Sequence, residues 1–354
     1  MLKSLKTIHF FYILLWLLVF IFMGYFFINT NNISPQSEGQ FLKGEVIKIQ
    51  DETSIVRLNE GEIVRVEQND YYLQDDYEVG DLVSVYSFES EEEQVAYEIA
   101  DYYHLDGLIF IFIIFFFFAI LIGKKKGLYS VISVVFSLLL FYVIVLGAVK
   151  SGFSLLLAGV LFIVLFTILT IPLIHGFNKK SLSAILAVNI GYLIAFLFTH
   201  FFVLSAHIGR TPSEEFRTLF FQFPELDIRQ VLIFSLFLGV AGALIDVAVS
   251  ICSAIFEGLK EHQNLSFTKT YKLGMTVGTD IMGSMINTLL IAYLATSLPF
   301  FVLLSLGGSA GFVEFINYDF IALEMVRIFI GSVSIILLIP LTSVISAYFL
   351  ARRS

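Results

Sequence analysis

Long apolar runs separated by short polar segments dominate the sequence. A helix that crosses a bilayer needs about 20 mostly apolar residues, because lipid offers no hydrogen bonds to an open backbone. Eight runs reach about this length, and each predicts one transmembrane helix: 8–28, 105–122, 128–146, 153–174, 182–205, 231–256, 275–298 and 320–350. The predicted fold class is therefore an α-helical polytopic membrane protein with about eight transmembrane helices.

The first run predicts an uncleaved N-terminal anchor, residues 1–30, rather than a signal peptide. It is longer than a typical apolar signal region of about 7–15 residues, and no A-x-A-like cleavage site follows it. Residues 31–104 then alternate apolar and polar positions, as in Ile55/Val56/Leu58 and Ile63/Val64/Val66, with turn signals between the runs. Four or five short strands predict a small all-β barrel of SH3 or OB type. Residues 105–354 form the predicted seven-helix membrane domain.

Composition supports this assignment and excludes other classes of protein. Hydrophobic residues make up 58% of the chain and charged residues 14%, whereas soluble domains have roughly 45–50% and 25%. The net charge of −9 argues against a nucleic-acid partner. The single Cys252 permits no intrachain disulfide and no cysteine-based zinc site.

Charge also predicts the orientation in the membrane. Residues 38–106 contain 19 Asp and Glu but only 4 Lys and Arg, whereas the two termini and alternate loops of the membrane body together contain 12 Lys and Arg. Because cytoplasmic loops carry an excess of Lys and Arg, both termini are predicted inside and the β module outside.

Two predicted helices carry polar stripes inside the apolar runs. Asp246, Ser250 and Ser253 are spaced i, i+4 and i+7, and so are Asp280, Ser284 and Asn287. Each set therefore lies on one helix face. The glycines that accompany the stripes are the small residues favoured where transmembrane helices pack, and they are Gly239, Gly242, Gly278 and Gly283.

The stripes have two interpretations. Carboxylates inside a membrane are costly and mark ion or proton pathways, which predicts a binding site for a cation or proton at the Asp246/Asp280 pair. The alternative is that polar side chains hold helices together through hydrogen bonds. No nucleophile or nucleotide-binding motif accompanies them, so we expect no catalytic residues and no cofactor, and the sequence names no metal.

Other polar residues receive structural interpretations. Glu324 and Arg327, spaced i, i+3, predict a helix ion pair near the outer surface. Asn189 predicts a hydrogen bond between helices.

At the two stripes the chain resembles the YibE/F-like bacterial membrane proteins. The likeness is carried by GALIDVAVS at 242–250, GTDIMGSMINTLLIAY at 278–293 and IPLT at 339–342, and it covers the membrane body from about 127 to 350. The resemblance implies a bacterial plasma-membrane location rather than a reaction. Its paired naming suggests a paralogous membrane partner, with a homo-oligomer as the alternative.

Two function hypotheses follow. The first is a secondary transporter or channel for a cation, a proton or a small solute, with Asp246, Asp280 and Asn287 as the site and Ser250, Ser253 and Ser284 lining it. The second is a membrane scaffold or sensor whose external β module binds a partner. Neither hypothesis requires enzymatic activity.

Overall fold

A computed structural model describes most of the chain. The described residues are 39–50, 53–59, 61–67, 77–89, 95–205, 218–219, 221–223, 225–261, 265–306 and 311–350. They divide into two compact units, one ending at Leu128 and the other beginning at Tyr129. The predicted anchor at 8–28 lies outside the described residues.

The first unit contains a five-stranded sheet: β1 (Gly39–Gln50), β2 (Thr53–Leu58), β3 (Ile63–Glu67), β4 (Leu82–Glu89) and β5 (Val95–Tyr102). β1 pairs antiparallel with β2 through its second half and with β4 through its first half. Gly44 lies where the two pairings overlap, and its missing side chain leaves room for Val56. The remaining antiparallel pairs are β2 with β3 and β4 with β5.

The predicted alternation within the strands is borne out by burial. Val56 and Leu58 in β2 and Val64 and Val66 in β3 are buried in one apolar core, whereas Ile63 points to solvent. β3 and β5 meet through a single parallel pair, Glu67 opposite Glu98. The structure thus establishes a small sheet with its own core, and the SH3 or OB type of the module stays a prediction.

The helices follow in chain order. They are α1 (Leu105–Phe141), α2 (Leu155–His175), α3 (Lys179–Ser205), α4 (Ile228–Glu261), α5 (Phe267–Thr296), α6 (Leu298–Leu306), α7 (Phe312–Asn317) and α8 (Asp319–Leu350). α1 continues through a π-helical turn, Tyr142–Leu146, and the short segment Gly147–Lys150. α6 and α7 are too short to cross a bilayer.

Six helices within the described part of the chain are long and apolar enough to cross a membrane. The prediction of eight differs for two reasons. Its first helix lies outside the described residues, and its second and third both fall within the 47-residue helix Leu105–Ser151. That helix is not straight, because Lys124 has φ 50° and ψ −127°, a left-handed φ that breaks the helical path. Beyond this break, Gly127 lies directly against the carbonyl of Ala119. The lysine cluster thus lies at a sharp bend.

The long helices of the second unit alternate in direction. α2 runs parallel to α4, because Ser154 bonds to Gln230 at one level and Gly159 packs on Phe234 one turn further along. Equivalent contacts make α8 parallel to α4: Val240 with Gly331 and Cys252 with Ser346. Helix α5 is antiparallel to α4, through Ile251 with Gly278 and Ile255 with Gly274. Helix α3 is also antiparallel to α4, through Tyr192 with Ala241 and Lys180 with Phe256. Successive long helices therefore cross the bundle in opposite directions, as successive membrane spans must.

α4 lies at the centre of this bundle. Thirteen of its 34 residues are buried, and they form one apolar face that includes Leu244, Val247 and Ile251. The core they join also takes side chains from α2, α3 and α8, such as Ile163, Val188 and Leu338. The predicted interhelical hydrogen bond of Asn189 is confirmed, since its Nδ2 donates to Thr167 Oγ1 at 3.0 Å.

Candidate ion site on helices α4 and α5

Helix α5 begins earlier than its hydropathy predicts. Its first turns are polar, yet Ser266 caps them by accepting a hydrogen bond from the Lys269 amide at 3.5 Å. The helix therefore starts at Phe267, eight residues before the predicted span. Asp280 consequently lies about 20 Å along the helix from Phe267, while it remains roughly 8 Å from Met275, where the apolar run begins.

The polar stripe of α5 lies on the face turned away from the bundle. The four buried residues of α5 are Thr270, Gly274, Gly278 and Leu289. Asp280, Ser284 and Asn287 are all exposed, on the opposite side of the helix. Their neighbours on that side are exposed too, and they include Thr276, Thr279 and Gly283. The uncovered surface formed by these six residues is called the α5 polar face below.

The stripe of α4 is likewise on its uncovered side. Asp246 and Ser250 are exposed, and Ser253 is half-buried. Asp246 lies about 27 Å along α4 from Ile228 and about 22 Å from Glu261, so it is near mid-helix. The residues of each stripe thus share one helix face, as their spacing predicted, but that face is turned away from the core of the bundle.

The contacts between α4 and α5 fix the relative heights of the two stripes. A Cβ on Gly278 would lie 3.1 Å from Ile251, and a Cβ on Gly274 would lie 2.9 Å from Ile255. Extending this antiparallel register by two residues places Asp280 within one residue of the height of Ser250. Extending it by five residues places Asp246 within one residue of the height of Ser284. Each carboxylate therefore has a hydroxyl-bearing residue of the neighbouring helix close to its own height.

The carboxylates and the hydroxyls of the two stripes differ in their hydrogen bonding. Ser284 Oγ donates to the Ile281 carbonyl at 2.8 Å, and Thr279 and Thr288 bond to their own helix in the same way. Neither Asp246 nor Asp280 forms a hydrogen bond or ion pair with another described residue. The hydroxyls are therefore satisfied locally, while the two carboxylates remain available to a ligand.

The four glycines predicted at helix contacts divide into two kinds. Gly278 packs directly on Ile339 of α8, and a Cβ on Gly239 would lie 2.7 Å from Tyr293 Oη. Gly242 and Gly283 have nothing within 4 Å of the position a Cβ would take. The first two permit close packing within the bundle, whereas the other two lie beside the exposed stripes.

A third polar group lies inside the bundle. Arg327 Nη1 donates to both carboxylate oxygens of Glu324, at 2.7 and 2.9 Å, so the predicted ion pair is confirmed. The Glu324 side chain is only 6% exposed and that of Arg327 17%, so the pair is covered by other helices, and its position near the outer surface stays a prediction. The guanidinium also lies 5.3 Å from the ring centroid of Tyr293 on α5. Sequence spacing detects the pair but cannot detect that α5 covers it.

The part of the chain that the structure describes contains no cluster of potential metal ligands. No group of three or more His, Cys, Asp or Glu side chains is close enough there to hold an ion. Any cation at the stripes would therefore be held by at most one or two carboxylates from this chain, with amide or hydroxyl oxygens completing its shell.

Comparison with known proteins agrees with this architecture. The model of the YibE/F-like protein family matches residues 111–352, more than half of the chain. The chain belongs to the YibE/F-like family. The matched region begins earlier than the residue near 127 expected from the motifs, so it takes in most of α1 as well. The β module precedes the matched region, and both polar stripes lie inside it. No curated protein and no solved structure matches the chain.

Proposed function

We propose that the protein is a secondary transporter or channel of the bacterial plasma membrane that conducts a cation or proton, with Asp246 and Asp280 as its site. The observation that carries the proposal is the position of these two carboxylates. Both lie inside the apolar runs of long helices, on uncovered faces, with no described hydrogen-bonding or ionic partner.

The energetic argument concerns what such groups cost in a bilayer. A charged side chain at the centre of a transmembrane helix costs about 2.5–3.5 kcal/mol on insertion scales, so two of them oppose insertion by several kcal/mol. A polar residue that holds helices together would offset this cost by a hydrogen bond to a neighbouring helix, as Asn189 does with Thr167. The two aspartates lack such a bond, which favours a site that takes its counter-charge from a bound ion or proton.

The chemistry of the stripes suits a hard cation or a proton. Carboxylate, amide and hydroxyl oxygens are the ligands that such ions take from proteins. Asp246 and Asp280 would supply the charge, and Asn287 the amide oxygen. Ser250, Ser253 and Ser284 would line the path at neighbouring heights. A small solute with a positive charge would use the same groups.

The orientation proposed for this function places both termini inside and the β module outside. The alternating directions of α2, α3, α4, α5 and α8 support it, because they place the segments rich in lysine at one end of the bundle and the connections poor in lysine at the other.

Flux in proteoliposomes tests the proposal. Purified protein would be reconstituted with a pH-sensitive dye inside and challenged with gradients of protons and of several monovalent and divalent cations. We expect flux from the wild type and little or no flux from the Asp246→Asn/Asp280→Asn double variant. A matched control is Glu257→Gln, which removes an exposed carboxylate paired with Lys260 near the end of α4.

Three outcomes separate the hypotheses. Flux that survives the double substitution would remove the two aspartates from the pathway. Flux that falls equally in Glu257→Gln would show a general effect of lost charge. Absence of flux in the wild type for every ion would favour the scaffold or sensor hypothesis.

The second candidate function is supported by an aromatic surface on the β module. Phe41 is 73% exposed, and its ring lies 5.1 Å from that of Tyr86, which in turn stacks on Phe88 at 6.1 Å. A module of OB type would use such a surface to bind an oligosaccharide or a peptide. A scaffold would lose its partner when Phe41 becomes Ser, while the Asp246→Asn variant would keep it. Affinity capture with the full-length protein would distinguish the two.

A further inference from the structure

We infer that the α5 polar face packs against the same face of a second copy of this chain, so that the ion site is shared between two subunits. The inference of a dimer rests on the geometry of α5 alone. The inference that the two copies hold a cation or proton between them rests on the proposed function.

The first argument is how little of α5 the described part of the chain covers. Helix α5 buries four of 30 residues, whereas α4 buries 13 of 34. The uncovered side of α5 is polar, as is the stripe of α4, unlike the uncovered sides of α2, α3 and α8. Those are apolar at exposed positions such as Leu161 on α2, Leu193 on α3 and Ile336 on α8. Lipid suits these three positions, but it does not suit a face with a carboxylate and a carboxamide.

The second argument concerns the alternative occupant, the predicted anchor of this chain. Between residues 8 and 28 the sequence has no Ser, Thr, Asn, Gln, Asp, Glu, Lys or Arg, and its polar groups are those of His9, Tyr12, Trp16 and Tyr25. Such a helix supplies no carboxamide for Asn287 and no Lys or Arg for Asp280. Its composition matches the lipid-facing helices instead.

The third argument is that the α5 polar face complements itself. Copies inserted in the same orientation are related by a two-fold axis along the membrane normal, so each residue near the axis meets its own equivalent. An Asn amide is both a donor and an acceptor, so Asn287 pairs with its own copy, whereas Ser284, whose hydrogen bonds to the Ile281 carbonyl, can only accept. Gly283, with nothing within 4 Å, allows the two backbones to approach closely.

The same symmetry gives a function to Asp280. Two Asp280 carboxyl groups meet near the axis, and two like charges at short distance cannot both remain ionised without a counter-ion. One proton shared between them, or one cation held by both, resolves the repulsion. The binding site is then incomplete in a single copy, because one subunit supplies only half of its ligands.

Cysteine cross-linking in native membranes tests the assembly. In a Cys252→Ala background of the full chain, Ser284→Cys and Asn287→Cys would be oxidised alongside two controls, Leu161→Cys and Leu193→Cys. We expect disulfide-linked dimers from the two α5 positions and none from the controls. The yield should not fall when expression is lowered tenfold, because the copies are already paired. Equal dimer formation at all four positions would indicate random collision and overturn the inference.

A second variant distinguishes loss of the interface from misfolding. Gly283→Leu places a bulky side chain on the polar face, where the chain's own bundle has open space. It should leave the protein folded by size-exclusion chromatography and abolish the Ser284→Cys cross-link. If the cross-link persists unchanged, α5 is not the interface.

The outcome is separable from that of the proposed function. Asp280→Asn should keep or increase the cross-link, because it removes the like charges, whereas it should eliminate flux. Dimers without flux in the wild type would leave the assembly standing and remove the transporter proposal. Flux from protein that shows no cross-link at either α5 position, and that has the mass of a monomer by light scattering, would overturn the shared site alone.

Discussion

The buried pair of α8 and the two exposed aspartates of α4 and α5 are charged groups within the same helical bundle, but their partners differ. Glu324 is matched by Arg327 on its own helix, and the Arg327 guanidinium lies against Tyr293 of α5. Asp246 and Asp280 have no ionic or hydrogen-bonded partner among the residues that the structure describes. The first group completes its interactions within one subunit, whereas the second does not.

This difference gives a criterion for assigning a role to a charged residue within a membrane bundle. A charge whose partners come from its own chain contributes to the fold, and its removal should show mainly as lost stability. A charge without such partners must find them in a ligand or another subunit, and its removal should show mainly as lost activity or assembly. The predictions below test this division, beginning with the largest expected effect on stability.

Replacing Arg327 by Met should destabilise the protein by about 3–5 kcal/mol, because it leaves the buried Glu324 carboxylate without its cation. Thermal unfolding in detergent, followed by tryptophan fluorescence or circular dichroism, would measure the loss. The double variant Glu324→Gln/Arg327→Met should recover most of it. A single variant as stable as wild type would show that the pair is solvated in the membrane and that the contrast with the aspartates fails.

Gly278 and Gly283 provide the same contrast without charge. A Val at 278 would collide with Ile339 and should cost about 1–3 kcal/mol through overpacking. A Val at 283 meets no atom of its own chain within 4 Å and should change the stability of the detergent-solubilised monomer very little. Unfolding curves of the two variants, measured side by side, would check the difference. Equal losses would mean that the α5 polar face is covered within one subunit.

An exposed ion pair gives a smaller effect than the buried one. Lys43 Nζ lies 2.5 Å from Asp106 Oδ2, but the Asp106 side chain is 55% exposed. Replacing Lys43 by Met should cost no more than about 0–1 kcal/mol, since water and salt screen such pairs. The effect should shrink further at high salt, unlike that of Arg327→Met. A loss as large as that at Arg327 would contradict the role assigned to burial.

Asp280→Asn should have the smallest effect on stability. With no described partner to lose, the variant should unfold within about 0.5 kcal/mol of the wild type, as surface substitutions usually do. Its flux should nevertheless disappear, as proposed above. A large loss of stability would show that Asp280 serves the fold, and it would support the interpretation of the stripes as interhelical glue.

Much of the architecture could be predicted from the sequence, because it depends on local patterns. Hydropathy located the long helices, and alternation located β1 to β4, whose buried residues include Val56 and Val64. It failed where the signal was not hydropathy. The polar first turns of α5 hid its start at Phe267, which a serine cap determines. The break at Lys124, by contrast, lies between the two spans predicted at 105–122 and 128–146.

By itself, the sequence determined which residues share a helix face, because the 3.6-residue period is a property of the chain alone. It grouped Asp280 with Ser284 and Asn287, and Glu324 with Arg327, through spacing. Only the tertiary structure decided which of these faces the bundle covers. Burial depends on helices distant in sequence: α5 covers Arg327 through Tyr293, while no described segment packs over Asp280. The physical reason is that periodicity sets a side chain's direction around its own axis, whereas the neighbour in that direction comes from the packing of the whole chain.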